Sequence, residues 1–160
     1  MRAAHEPGPV SWRRRAWVTS VACAGVLAVS GCVPASPGPS TYEDKAKLTV
    51  EAALSEVATV QLTLQQLARD RAFKPSVLTQ LRYSEDSLDT ATGAFDELNP
   101  PRTDDRLHQR TDSLLSAAGD ALAHTRIAVE RDERQEYPAL VSDLKKLATR
   151  LDTLDKQVGS

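Results

Sequence analysis

Cysteine and methionine are scarce in this chain, and the few that occur lie near its beginning. The two cysteines are Cys23 and Cys32, and the single methionine is Met1. From residue 33 onward the chain has no thiol for a disulfide, a nucleophile, or a zinc or iron–sulfur site, and no methionine to ligate haem. Aromatic residues make up only 4% of the chain. We therefore expect a core of Leu, Val and Ala, which favours packed helices over a β-sandwich.

Basic residues are too few after the first 31 residues to predict a nucleic-acid-binding protein. The whole chain has 20 Lys and Arg against 22 Asp and Glu. Four of those arginines and one of those glutamates lie in residues 1–31, so residues 32–160 carry a net charge of −5. Binding to nucleic acid, or to anionic lipid by charge, needs a concentrated basic face. This charge balance does not predict one.

The first 31 residues have the three parts of a secretory signal. Residues 13–15 are three arginines, residues 16–29 form an uncharged apolar run, and small residues then lead to Cys32. The apolar run is shorter than the roughly 20 residues that span a bilayer. The segment is therefore predicted to be a cleaved signal peptide covering residues 1–31.

The residues at the end of this leader are Val29, Ser30, Gly31 and Cys32. They resemble the lipobox of bacterial lipoproteins, in which an aliphatic residue, a small residue and Gly or Ala precede a cysteine. The resemblance implies cleavage between Gly31 and Cys32, a diacylglycerol thioether on Cys32 and an acyl chain such as palmitate on the new amino terminus. It also implies attachment to the extracytoplasmic face of the cell membrane. Two acyl chains anchor a protein stably, whereas one chain is marginal.

Two alternatives for the leader stay open at this point. Ala35 and Ser36 could serve in an ordinary cleavage region, although the apolar run stops well before them. Arg14 and Arg15 have a faint twin-arginine appearance. The general secretory route is favoured, because Arg13 occupies the place where twin-arginine signals usually carry Ser or Thr.

The remainder of the chain is predicted to be all-α. Residues 32–40 are rich in Pro, Gly and Ser and predict a disordered tether. Residues 41–160 are predicted to form an antiparallel up-down-up-down four-helix bundle, because three short connections join four apolar-striped segments. The alternative is a pair of helical hairpins that dimerise, and the oligomeric state stays open.

Proline, capping residues and apolar spacing place the four helices. The first is predicted to begin at Thr41 and to end before the Lys74–Pro75 break; the second runs from Pro75 to Leu98, the third from a Thr103 cap, and the fourth from near Tyr137. Asn99, Pro100 and Pro101 separate the second and third helices, and the charged segment 130–136 is predicted to be a frayed helix end that leads into a turn. The core-facing stripes are predicted to contain Val50, Leu54, Val57, Val60, Gln61, Leu64, Leu67 and Ala68; Leu81, Ser84, Leu88, Ala91, Phe95 and Leu98; Leu107, Thr111, Leu114, Ala118, Ala121 or Leu122, Thr125, and Ala128 or Val129; and Leu140, Leu144, Leu147, Leu151, Leu154 and Val158.

No motif in the chain predicts catalysis, a metal or a cofactor. His108 and His124 would lie about 24 Å apart along one helix, so they cannot share an ion, and both are expected on a polar face. Adjacent carboxylates are expected to be solvated; they are Glu85 and Asp86, Asp104 and Asp105, and Asp132 and Glu133. The chain is therefore not predicted to be an enzyme.

The sequence predicts a protein-interaction or structural module of the cell envelope. Arg71, Phe73, Lys74 and Tyr137 lie in two turns expected at the end of the bundle away from the membrane, and aromatic residues beside arginine are typical of interfaces. The alternative for Phe73 and Tyr137 is that they close the end of the bundle. The alternative function is a surface helical bundle that binds a small apolar molecule or a metal in space left by small residues, namely Ser84, Ala91, Gly93, Thr111, Ala118 and Gly119.

Overall fold

The computed structural model describes residues 39–102 and 105–158, and this part of the chain is helical without a strand. The helices are α1 (Pro39–Ala68), α2 (Lys74–Asp96), α3 (Asp105–Glu130) and α4 (Tyr137–Val158), and a short 3₁₀ turn, Arg134–Glu136, precedes α4. Over these residues, the prediction of an all-α fold with four helices is confirmed. The leader, the lipobox and residues 32–38 of the predicted tether lie outside the described residues.

The helix boundaries differ from the prediction at the beginning of α1. The helix starts at Pro39, so Thr41 lies inside its first turn and is not the cap. Proline suits the first turn because its missing N–H would have no helical partner there. The predicted tether is therefore at least two residues shorter at this side. Thr103, the predicted cap of α3, lies outside the described residues, and α3 begins at Asp105.

The core runs along one face of each helix. In α4 the leucine seam is confirmed, since Leu140, Leu144, Leu147, Leu151 and Leu154 are all buried. Each such leucine contributes about 1.5–3 kcal/mol of transfer free energy relative to an exposed one. The predicted core positions that are buried in α2 and α3 are Leu81, Ser84, Leu88 and Phe95, and Thr111, Leu114, Ala118, Leu122, Thr125, Ala128 and Val129.

The buried face of α1 agrees with five of the eight predicted positions and differs at the other three. Ala53 is fully buried while Leu54 and Gln61 are only half-buried, and Ala68 is exposed. The core residues of this helix are Tyr42, Ala46, Val50, Ala53, Val57, Val60, Leu64 and Leu67. This series keeps the spacing of three and four that one helix face requires. Small residues on that face let α1 contact all three other helices, most extensively α4.

Gly93 lies at an open position of α2 and not at a close contact between helices. A Cβ built on Gly93 would have no heavy atom within 4 Å, and the residue is exposed. Gly119 has equally open surroundings. Glycine in a helix costs about 1 kcal/mol relative to alanine, and no packing contact offsets that cost at Gly93.

Two groups of side chains lie where helices begin and end. We call the first the Tyr42 end; it joins Tyr42 in the first turn of α1, Phe95 in the last turn of α2 and His108 in the first turn of α3. We call the second the Asp132 end. It joins the loop after α1, the beginning of α2, the end of α3 and the beginning of α4, through Asp70, Lys74, Asp132, Arg134 and Tyr137.

Candidate functional site

The residues of the predicted partner surface, at the Asp132 end, differ in their exposure to solvent. Phe73 is 73% exposed and Arg71 is exposed beside it, as the prediction requires. Tyr137 is only 2% exposed, so its inclusion in that surface was wrong. Its ring belongs to the core, because α4 begins at this residue and the leucine seam continues the same face from Leu140, three residues on. The alternative, in which both aromatic residues close the bundle, applies to Tyr137 and not to Phe73.

Lys74 also belongs to the predicted surface, but its side chain already interacts with other residues of the protein. Its Nζ donates to the main-chain oxygen of Glu130 at 3.2 Å and lies 3.9 Å from a carboxylate oxygen of Asp132. Lys74 therefore links the first residue of α2 to the last turn of α3. The exposed part of the surface consists of Arg71 and Phe73.

The C-terminal end of α1 closes with a Schellman motif in which aspartate replaces the usual glycine. Asp70 has a φ of 55°, in the left-handed region. Its N–H donates to the oxygen of Leu67 at 3.0 Å, and the N–H of Arg71 donates to the oxygen of Gln66 at 2.8 Å. These are the two backbone hydrogen bonds of that motif. Aspartate tolerates this conformation better than most residues, yet it still costs more than glycine.

The C-terminal end of α3 repeats the same arrangement. Asp132 has a φ of 58°. Its N–H donates to the oxygen of Val129 at 3.2 Å, and the N–H of Glu133 donates to the oxygen of Ala128 at 2.9 Å. The expectation of a frayed end over 130–136 was wrong, because backbone hydrogen bonds close this segment and the 3₁₀ turn leads it directly into α4.

Arg134 explains why both helix ends carry aspartate. Its Nη1 donates to Asp70 at 2.9 Å and its Nε donates to Asp132 at 3.3 Å. The hydrogen bond to Asp70, and then that to Asp132, raise the pKa of Arg134 above its ordinary value. A glycine at either position would fit the backbone but could not bind the guanidinium. One side chain therefore connects the loops that follow α1 and α3.

A second charged cluster fixes α2 against α3. Nε of Arg126 donates to both carboxylate oxygens of Glu85, at 2.7 and 3.0 Å, and its Nη1 lies 3.2 Å from Glu130. Arg82 donates to the same Glu130 oxygen at 3.1 Å. The hydrogen bond from Arg82, and then that from Arg126, lower the pKa of Glu130. The sequence predicted that Glu85 is a solvated carboxylate. This prediction was wrong, because Glu85 is the main partner of Arg126.

The Tyr42 end contains His108, whose surroundings differ from those predicted from the sequence. His108 is half-buried, and its ring stacks on Phe95 with a centroid distance of 5.3 Å. The hydroxyl of Tyr42 lies 2.9 Å from Nδ1 of His108, and it donates there when the imidazole carries its proton on Nε2. The expectation of a polar-face position was wrong for His108. It holds for His124, whose side chain is 63% exposed and lies 3.7 Å from Glu136.

Within residues 39–102 and 105–158, no three His, Cys, Asp or Glu side chains are placed to hold a metal ion together. None of the helices over the same ranges has the length and apolar character needed to cross a membrane. Of the small residues proposed to leave space for a ligand, Ser84, Thr111 and Ala118 are packed in the core, while Gly93 and Gly119 have no packed neighbour.

Comparisons with protein-family models, with curated proteins and with solved structures each found no match to this chain. Its function must therefore be inferred from its own residues and their geometry.

Proposed function

We propose that this chain is a membrane-anchored extracytoplasmic lipoprotein whose helical part works through protein–protein contact in the cell envelope. The carrying observation is the sequence Val29-Ser30-Gly31-Cys32 at the end of a basic and apolar leader. Lipid on Cys32 holds the protein at the outer face of the membrane. The described helices supply the part that reaches a partner.

The proposed arrangement of the helices is an up-down-up-down antiparallel bundle of one chain. Three cross-helix contacts support it. Lys74 at the beginning of α2 bonds Glu130 at the end of α3, and Phe95 near the end of α2 stacks on His108 near the beginning of α3. The third contact is the hydrogen bond from Arg110 near the beginning of α3 to Gln157 near the end of α4, at 2.8 Å.

This arrangement orients the bundle relative to the proposed anchor. Helix α1 begins seven residues after Cys32. An extended chain of seven residues spans about 24 Å at most. The Tyr42 end therefore lies near the bilayer. Helix α1 has 30 residues and is about 45 Å long, so the Asp132 end projects away from it. Phe73 and Arg71 are then presented where a partner in the envelope can reach them.

The anchor is tested by fractionation and intact mass of the full chain and of a Cys32→Ser variant. We expect the wild-type protein to be cleaved before Cys32, to carry the added mass of a diacylglycerol thioether, and to resist extraction from membranes by carbonate. The Cys32→Ser chain should keep its leader and lack the added mass. Normal processing and equally firm membrane attachment of the variant would contradict the proposal.

The partner surface is tested by in-cell cross-linking of Phe73→Ala, with Tyr83→Ala as the matched control. Tyr83 is also an exposed aromatic residue of the α2 region, with 66% exposure. We expect the cross-linked adduct of the wild-type protein to be lost in Phe73→Ala and kept in Tyr83→Ala. Equal adducts in the wild type and both variants would exclude Phe73 as the contact.

A further inference from the structure

Helices α3 and α4 leave a groove between them on the side of the Tyr42 end. The groove has a volume of about 580 Å³. Arg106, Arg110 and Ser113 line it from α3, Thr149 and Arg150 line it from α4, and Leu114 forms an apolar floor. Except for Leu114, these side chains are exposed. The hydroxyl of Thr149 already donates to the main-chain oxygen of Lys145 at 3.0 Å. The groove therefore offers three guanidinium groups and the hydroxyl of Ser113 to a ligand that enters from solvent.

The arginines of this groove differ from those of the Asp132 end in their partners. Around the Asp132 end, four arginines form ion pairs with carboxylates; they are Arg82, Arg126, Arg131 and Arg134. In the described part of the chain, Arg106, Arg110 and Arg150 have no carboxylate within 4.0 Å. Arg110 donates instead to the neutral amide of Gln157. Within residues 39–102 and 105–158, the basic groups of the groove thus have no carboxylate counter-charge.

Two carboxylates of α4, those of Asp143 and Asp152, are paired with lysines of the same helix and not with the arginines of the groove. Asp143 accepts from Lys146 at 2.7 Å, and Asp152 accepts from Lys156 at 2.7 Å. The overall negative charge of the chain therefore coexists with a local basic groove. Net charge describes the whole chain, whereas binding responds to the charge distribution around one site.

We propose that this groove binds a phosphate group, carried either by a small soluble ligand or by a lipid headgroup. Guanidinium groups bind phosphate oxygens through paired hydrogen bonds, and the hydroxyl of Ser113 can donate to a remaining oxygen. The volume lies within the range of about 300–1,000 Å³ that is usual for small-ligand sites. Only the lipid source rests on the proposed anchor, which would hold the Tyr42 end beside headgroups. The soluble source does not depend on it.

The test is a titration of the full chain in a maltoside detergent, which carries no phosphate, followed by NMR of backbone amides and arginine Nε–H groups. The probes are inorganic phosphate, sodium chloride at equal ionic strength, and micelles containing phosphatidylglycerol. The binding variant is Arg106→Gln/Arg110→Gln/Arg150→Gln. The control variant is Arg69→Gln/Arg71→Gln/Arg131→Gln, which removes the same charge from exposed arginines near the Asp132 end. Circular dichroism of both variants checks that the helices are retained.

We expect saturable shifts in residues 106–114 and 149–153 with phosphate but not with chloride. The binding variant should lose affinity by about tenfold or more, because charge-assisted paired hydrogen bonds are removed, while the control should stay within about twofold. Arg150→Lys keeps the charge but not the paired geometry and should fall between them. Saturation with phosphate identifies a soluble ligand, and saturation only with phosphatidylglycerol identifies a headgroup. Absence of saturable binding to either probe, or equal loss in both triple variants, would overturn the proposal.

Discussion

The Tyr42 end and the Asp132 end each bury one tyrosine, and the two tyrosines are held in different ways. Tyr42 is fully buried, and its hydroxyl shares a hydrogen bond with His108. Tyr137 is also buried, yet its hydroxyl has no hydrogen-bond partner in the described residues, although Asp132 and Arg134 are close enough to act on it electrostatically. Aromatic packing therefore stabilises one end, while charge pairs outside a buried ring stabilise the other.

The largest effect is expected from removing a ring at the Tyr42 end. Phe95 is 1% exposed and contacts both Tyr42 and His108. Phe95→Ala should lower the free energy of unfolding by about 3–5 kcal/mol, since the cavity adds to the lost transfer free energy. Phe73→Ala at the other end should change it by less than about 0.5 kcal/mol. Urea unfolding followed by circular dichroism measures both, and similar losses in the two variants would contradict the difference between the ends.

Removing each tyrosine hydroxyl should give opposite results at the two ends. Tyr42→Phe leaves Nδ1 of His108 without this partner and should destabilise the protein by about 1 kcal/mol or more. Tyr137→Phe removes a buried hydroxyl that has no partner, so it should be neutral or stabilising by up to about 1 kcal/mol. Thermal unfolding of the two variants at pH 7 compares them. A loss of stability in Tyr137→Phe would show that its hydroxyl is satisfied in solution.

The burial of Tyr137 also predicts that the wild-type protein and Tyr137→Phe differ in stability at alkaline pH. Burial, and then the charge of Asp132, raise the pKa of Tyr137 above its ordinary value of 10.0. A raised pKa means that the folded state holds the proton more tightly, so this contribution is complete below pH 10.0 and falls as the pH rises through the folded pKa. Wild-type stability should therefore decrease more steeply than that of Tyr137→Phe as the pH rises above 10.0. Parallel curves of stability against pH for the two proteins would contradict a raised pKa of Tyr137.

Among the charge pairs, the half-buried one should be worth more than the exposed one. Side chains of Arg126 and Glu85 are 25% and 19% exposed, whereas those of Arg134 and Asp70 are 54% and 75% exposed. A double-mutant cycle on Arg126→Gln and Glu85→Gln should give a coupling of about 1 kcal/mol. The cycle on Arg134→Gln and Asp70→Asn should give a smaller coupling that disappears in 0.5 M salt. Equal couplings would mean that burial does not distinguish them.

The smallest effect is expected at Gly93, near the Tyr42 end. Because no atom would contact an added Cβ there, Gly93→Ala should raise the free energy of unfolding by about 0.5–1 kcal/mol. The change acts through the conformational freedom of the unfolded chain and the helix preference of alanine. A melting temperature below that of the wild type would indicate a packing contact at this position.

Helix number and the buried faces of α2, α3 and α4 could be predicted because large apolar residues mark them. In α4, the leucines from Leu140 to Leu154 are compatible with only one buried face of the helix. In α1 five of the eight predicted positions are buried. Leu54 was chosen in place of Ala53, because alanine and valine are spread around this helix. His108 could have been found, since it precedes the buried Thr111 by three residues and therefore shares its face.

The Asp132 end was harder to predict because its structure depends on long-range contacts. An Arg-Asp pair follows the apolar stripe of both α1 and α3, and this repeat was the available signal for two similar helix ends. Glycine is the usual marker of such an end, and aspartate does not reveal that it adopts a positive φ. The burial of Tyr137 was hidden by the charged segment before it. That segment folds back through Arg134 to Asp70, a contact 64 residues away in sequence.

The two aspartate-capped helix ends have a further consequence for how quickly this surface exchanges hydrogen with solvent. The amides of Asp70, Arg71, Asp132 and Glu133 all donate to main-chain oxygens, so in deuterated water they should retain their protons far longer than other exposed turns. Slow exchange would identify a stiff edge beside Phe73. A protein docking there would then lose little additional chain entropy, which is a condition for tight binding through a small area of contact.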